Sequence, residues 1–130
     1  MFASLYILLY IAHLAADYPL QTDHQAEHKA DRCAAGWRAN LAHAGTHLIA
    51  TAVMLGMGVT VLDLAVEPVP ALLALAWIAG SHAVIDRRWA VAAWMRLARQ
   101  QKWAQRGGAE HVDQTGHVLA LAVAALSLAA

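Results

Sequence analysis

Cysteine is all but missing from this sequence. Cys33 is the single one in 130 residues, which excludes a disulfide-stapled scaffold. Charge is scarce too, at 14% of residues, against about 25% in an average soluble domain. Neither sign is in surplus: nine Lys and Arg balance nine Asp and Glu. Binding to nucleic acid through excess positive charge is thereby excluded. There is no Ser nucleophile elbow, no phosphate-cradling glycine loop and no His-Glu-x-x-His helix, so those mechanisms drop out. What is abundant is apolar. Hydrophobic residues make up 60% of the chain, more than a globule of this length can hide. This excludes a disordered chain and points to a one-domain integral membrane protein. The second abundance is histidine, with eight residues.

Four apolar stretches stand out: Phe2 to Tyr18, Leu41 to Leu62, Val69 to Ile85 and Gly116 to Ala130. Crossing a hydrocarbon core of ~30 Å takes about 20 helical residues. The second stretch meets this, and the others do so if their polar ends count. The expected spans are then 2–18, 41–62, 69–86 and 113–130. No cleavable signal is expected, because Met1 to Ala12 carries no basic residue ahead of its apolar run. All nine basic residues fall in two connections. Lys29, Arg32 and Arg38 lie between spans one and two; Arg87, Arg88, Arg96, Arg99, Lys102 and Arg106 follow span three. The short Asp63 to Pro68 connection has none. The positive-inside rule makes the basic side cytoplasmic and puts both termini outside.

Trp89, Val91, Ala92, Met95 and Ala98 recur at helical spacing among Arg88, Arg96, Arg99 and Lys102. With Trp94 and Trp103 flanking it, this pattern predicts an amphipathic helix at the interface over 87–105, ended by Gly107-Gly108. A solvated basic linker is the plainer alternative, and three tryptophans argue against it. The expected fold is all-α: an integral membrane four-helix bundle with this interfacial helix between spans three and four.

Each span carries one pair of metal-ligand residue types four apart. The pairs are His13 and Asp17, His43 and His47, His82 and Asp86, Asp113 and His117. Residues at i and i+4 share a helix face. In an up-down-up-down bundle all four pairs fall at the cytoplasmic end. A deeper layer would hold His13, His47, His82 and His117, and a shallower one Asp17, His43, Asp86 and Asp113, about 6 Å apart. That suits one ion with a carboxylate shell, or two ions bridged by Asp. The bland alternative is that these groups pair with one another and glue the helices. Four pairs in register favour a metal. Zinc is the default for imidazole with carboxylate, and manganese or iron suits the carboxylate-rich layer as well.

Further residues flank this set. Gln21, four beyond Asp17, extends its face and could bind substrate, as could Lys29 and Gln114; His111 and Gln114 could support the Asp113 pair. His24 and His28 read as solvated. Asn40 is expected to cap the second span. Gly45, Gly80 and Gly116 would allow close helix approach, or are ordinary membrane-helix glycines. Pro19 should bend the exit from span one, and Pro68 and Pro70 should open span three.

His13-Leu-Ala-Ala-Asp17-Tyr-Pro-Leu-Gln21-Thr-Asp23, Ser81-His82-Ala-Val-Ile-Asp86 and Asp113-Gln114-Thr-Gly-His117 resemble small bacterial and phage membrane proteins grouped as domain-of-unknown-function family 3307. The resemblance covers nearly the whole chain. Lys29, His43 and His47 fit further family positions. Arg87-Arg88 and Gly116 depart from the family's usual Lys after the Ile-Asp pair and aliphatic residue before the last His. The resemblance implies a compact bundle in the bacterial inner membrane and no established activity. A looser likeness, in helical His/Asp motifs alone, runs to membrane-bound metal-dependent hydrolases.

Three functions compete. A metal-dependent hydrolase would use the eight paired residues as ligands, with Asp17, Asp86, Asp113 or His43 as general base, acting on a lipid headgroup or lipid-linked substrate. A metal carrier or sensor would need a path through outer halves that offer little beyond Thr51 and Thr60. An interaction protein would use the His/Asp layers only as a lock. The bilayer is the expected partner in every case, and the composition leaves oligomers open.

Overall fold

The computed structural model describes residues 1–130 and is entirely helical. Helix α1 spans Phe2–Asp17, α2 Asp23–His28, α3 Ala34–Leu62, α4 Pro68–Asp86 and α5 Trp89–Leu97. A short α6, Gln101–Trp103, runs into a π-turn at Ala104–Gly108 and then α7, Ala109–Ala129. Four helices close a ring: α1 packs on α3, α3 on α4, α4 on α7, and α7 back on α1.

Local chemistry sets the boundaries. Pro19 disfavours helix at the residue before it, and α1 ends at Asp17. Thr22 opens α2 with a capping box: its hydroxyl accepts from the Gln25 N–H at 3.3 Å, and the Gln25 side chain accepts from the Thr22 N–H at 3.0 Å. Cys33, not Asn40, caps α3, its Sγ accepting from the Gly36 N–H at 3.4 Å. The helix thus starts at Ala34, ahead of the expected 41, and Asn40 lies inside it, fully buried. Its side-chain amide donates to the Ala83 carbonyl at 3.2 Å and ties α3 to α4. Asp63 ends α3 in the left-handed region, and Pro68 opens α4 where its missing N–H costs nothing.

The single interfacial helix expected over 87–105 is broken. Arg88 (φ 61°) and Arg99 (φ 56°) take left-handed conformations on either side of α5, and Gly107 (φ 90°) kinks the chain into α7. Val91 and Met95, four apart, are the buried face of α5, while Trp89, Trp94 and Leu97 point outward. Trp103 folds onto Gly108, where a Cβ would collide with the indole.

The burial pattern inverts that of a soluble protein. Ile49, Val53, Val61, Leu72 and Leu73 are exposed, and histidines and carboxylates are buried. The α3 and α4 helices and the run Gln101–Ala129 are long and apolar enough to cross a membrane. At 16 residues, or about 24 Å, α1 is shorter. Inside the ring the two ends differ. Leu5, Leu9, Leu55, Ala74, Ile78, Leu121, Ala124, Ala125 and Leu128 form one apolar core. The other end holds the polar pairs. Gly45 and Gly80 face open space, so they do not bring helices together, and Gly116 makes only an ordinary contact with Ile85. The close approach is at Gly58, against Leu8 and Leu64.

Candidate metal centre

The i, i+4 spacing turns both members of each pair toward the ring's interior, and the antiparallel packing brings the four pairs to one end. His13, His43, His47, His82, His117, Asp17 and Asp86 are all buried, and Asp113 is 23% exposed. The four deeper histidines pack ring on ring. Centroids are 3.5 Å apart for His47 and His82, 4.2 Å for His82 and His117, and 5.1 Å for His13 and His117. Below them, Asp17 Oδ1 lies 3.1 Å from His47 Nε2, 3.2 Å from His43 Nε2 and 3.7 Å from His82 Nε2. Asp17 Oδ2 lies 3.1 Å from His13 Nε2. Asp86 Oδ2 is 3.0 Å from His82 Nε2 and 3.5 Å from His43 Nε2, and Asp86 Oδ1 is 3.5 Å from His117 Nε2. Asp113 Oδ2 is 3.5 Å from His117 Nε2.

Three overlapping donor groups result. They are His13, Asp17, His47 and His82; His43, His82 and Asp86; and Asp86, Asp113 and His117. His82 links the first two and Asp86 the last two. Donors arranged tetrahedrally at metal-bond lengths of 2.0–2.2 Å stand about 3.3–3.6 Å from one another. In the first group the contacts of Asp17 with the three imidazoles, 3.1 to 3.7 Å, lie near that spacing, and all four donors fall within 4.8 Å of one another. Hydrogen bonding alone leaves the centre incompletely satisfied. His13 Nε2 and His82 Nε2 are buried without an aligned hydrogen-bond partner, despite their close neighbours. Buried polar atoms are normally paired, and unaligned donor atoms converging at this spacing fit a shared cation.

Arg87 and Lys29 close the open end. The Arg87 guanidinium donates to the Lys29 carbonyl at 3.0 Å and the Asp31 carbonyl at 2.7 Å, and lies 4.3 Å over the Trp37 ring. These contacts also hold the two basic connections together. Lys29 Nζ reaches Asp86 Oδ2 at 3.0 Å. The sequence alone did not single out Arg87; its position one past Asp86 was the available signal.

A cavity of 770 Å³ lies outside this roof, between α2, α5 and the start of α7. Its walls include Lys29, Arg88, Arg96, Glu110, Asp113 and Gln114. Gln21 also lines it, but through a turn rather than a continued α1, with its amide donating to the Asp17 carbonyl. His111 does not support the cluster: it is exposed and bonds the Gly107 carbonyl at 3.2 Å. His24 is exposed, and His28 pairs with Asp31 at 2.8 Å, away from the centre.

An all-helical bundle, apolar outside and lined with histidine and carboxylate within, defines a membrane-type protein with a candidate metal centre. The sequence pattern of the family described as Protein of unknown function (DUF3307) matches residues 5–130, and the chain belongs to that family. No curated protein and no solved structure matches it. The likeness to metal-dependent hydrolases therefore rests on the His/Asp motifs alone.

Proposed function

We propose that the protein binds a divalent metal ion at His13, Asp17, His47 and His82 and hydrolyses a lipid headgroup or lipid-linked substrate from the cavity beside it. The observation that carries the reading is the link to the cavity: Asp113 lines the 770 Å³ space and belongs to the third donor group, which connects to the first through Asp86 and His82. Zinc is the first choice from three imidazoles and a carboxylate, with manganese or iron as alternatives. A bound ion would supply Lewis acidity and a water acidic enough to ionise near neutral pH.

The chain's own residues supply the rest. Arg88 and Arg96 on the cavity wall suit an anionic phosphoryl group, and Gln21 and Gln114 offer hydrogen bonds beside it. Asp113, the one of the three carboxylates that lines the cavity, would take a proton from attacking water, whereas His43 is fully buried and better suited to hold Asp17 and Asp86. The outward Trp89, Trp94 and Trp103 and the basic residues near them suit a headgroup layer. With the positive-inside rule this layer is the cytoplasmic one, and α1 joins the three longer helices as a fourth span.

A carrier fits less well, because the apolar core of Leu5, Leu9, Leu55, Ile78 and Leu121 fills the opposite half of the ring. The test is elemental analysis of detergent-purified protein beside a His47→Ala/His82→Ala variant, followed by hydrolysis assays on mixed phospholipid vesicles. The expected result is metal in the wild type, loss of it in a still-folded double variant, and turnover that Asp113→Asn abolishes with metal retained. Wild-type protein that takes up no zinc, manganese or iron would reduce the cluster to a helix lock.

A further inference from the structure

We infer that the Lys29 ammonium serves as the second cation of the centre and holds it to a single bound metal ion. The inference rests on the metal-binding reading above and goes beyond it in fixing the stoichiometry. Three overlapping donor groups sharing His82 and Asp86 would otherwise invite two ions, as in sites where a carboxylate bridges a metal pair.

Lys29 is not a free surface lysine. Its side chain is 14% exposed, and Nζ lies 3.0 Å from Asp86 Oδ2. Its backbone is held by Arg87 through the Lys29 and Asp31 carbonyls, and Arg87 is steadied by the Trp37 ring. Arg87, the residue that caps the end of α4, therefore sets the ammonium against the carboxylate that a second ion would share. Asp86 is the member common to the second and third donor groups.

Charge balance points the same way. The centre holds three carboxylates, Asp17, Asp86 and Asp113, and the three imidazoles that would ligate a single ion, His13, His47 and His82, are neutral when they do so. One divalent ion together with Lys29 cancels the three negative charges. A second divalent ion would leave two uncompensated positive charges in a buried site within a membrane-type bundle, which is costly. Arg87 does not alter this balance at the centre, because its donors go to backbone carbonyls rather than to the carboxylates.

The experiment strips the detergent-purified full chain with a chelator, re-equilibrates it with zinc or manganese, and measures bound metal per chain. Wild type and Lys29→Arg should each hold one equivalent. Lys29→Met should rise to two, the added ion entering at Asp86, Asp113 and His117. A thermal melt confirms that each variant is folded. Two equivalents in the wild type would overturn the inference while leaving the metal reading intact, and this outcome needs no variant. A folded Lys29→Met protein that stays at one equivalent overturns it as well. A wild type that binds no metal overturns the metal reading, and this inference with it.

Discussion

Arg87 holds the backbone of Lys29 across 58 residues of sequence, its guanidinium 3.0 Å from the Lys29 carbonyl. That bond turns a short helix and two loops into a roof over the buried carboxylates. Arg87→Ala should therefore cost roughly 1.5–3 kcal/mol, the range for hydrogen bonds to charged groups. It should also speed proteolysis between residues 19 and 33, read by limited digestion in detergent. An unchanged digestion pattern would mean that the roof folds without this clamp.

His82 and His43 should differ in their effect on metal affinity. His82 belongs to two donor groups and packs against His47 and His117. His43 touches both Asp17 and Asp86 and acts by orienting them. His43→Ala should weaken binding by about 10–100-fold, as for outer-shell partners, and His82→Ala should weaken it further. Competition against a metal-chelating dye gives both values. The reverse ranking would move the ion toward Asp17, His43 and Asp86.

Asn40 links α3 to α4 next to the centre without being a ligand. Asn40→Ala removes its 3.2 Å bond to the Ala83 carbonyl and should cost about 1 kcal/mol. Denaturant unfolding should shift while metal per chain stays constant. Loss of metal at unchanged stability would make Asn40 part of the site instead.

Trp77 probes the bundle away from the centre. Its indole N–H donates to the Ala120 carbonyl at 2.9 Å and joins α4 to α7. Trp77→Phe should lower stability by about 0.6 kcal/mol, typical of one interhelical bond in a membrane protein. Neither metal content nor turnover should change, so the variant also serves as a control for detergent stability measurements.

The i, i+4 pairs could be read directly from the sequence because helical spacing alone puts two side chains on one face. The confinement of all nine basic residues to two of the three connections implied an up-down-up-down order, and that brings four such faces to the same end. The breaks around α5 could not be read in this way. A Trp/Arg stripe reports a helical preference, but not that Arg88, Arg99 and Gly107 must take left-handed conformations for the chain to turn back into α7. Asn40 was misread for a related reason. A residue suited to capping appeared where the apolar run began, yet the helix continued outward past it to Cys33.

The sequence by itself determined the composition of the centre, since eight ligand-type side chains at fixed helical spacing leave little freedom once the helices form. Only the tertiary structure decided what surrounds that centre. Lys29 meets Asp86 because Arg87 pulls a distant loop over the ring, and Asp113 faces a cavity because α5 and the turn after it fold back to wall it off opposite α2. Those relations depend on contacts between residues far apart in the chain, and local spacing carries no record of them.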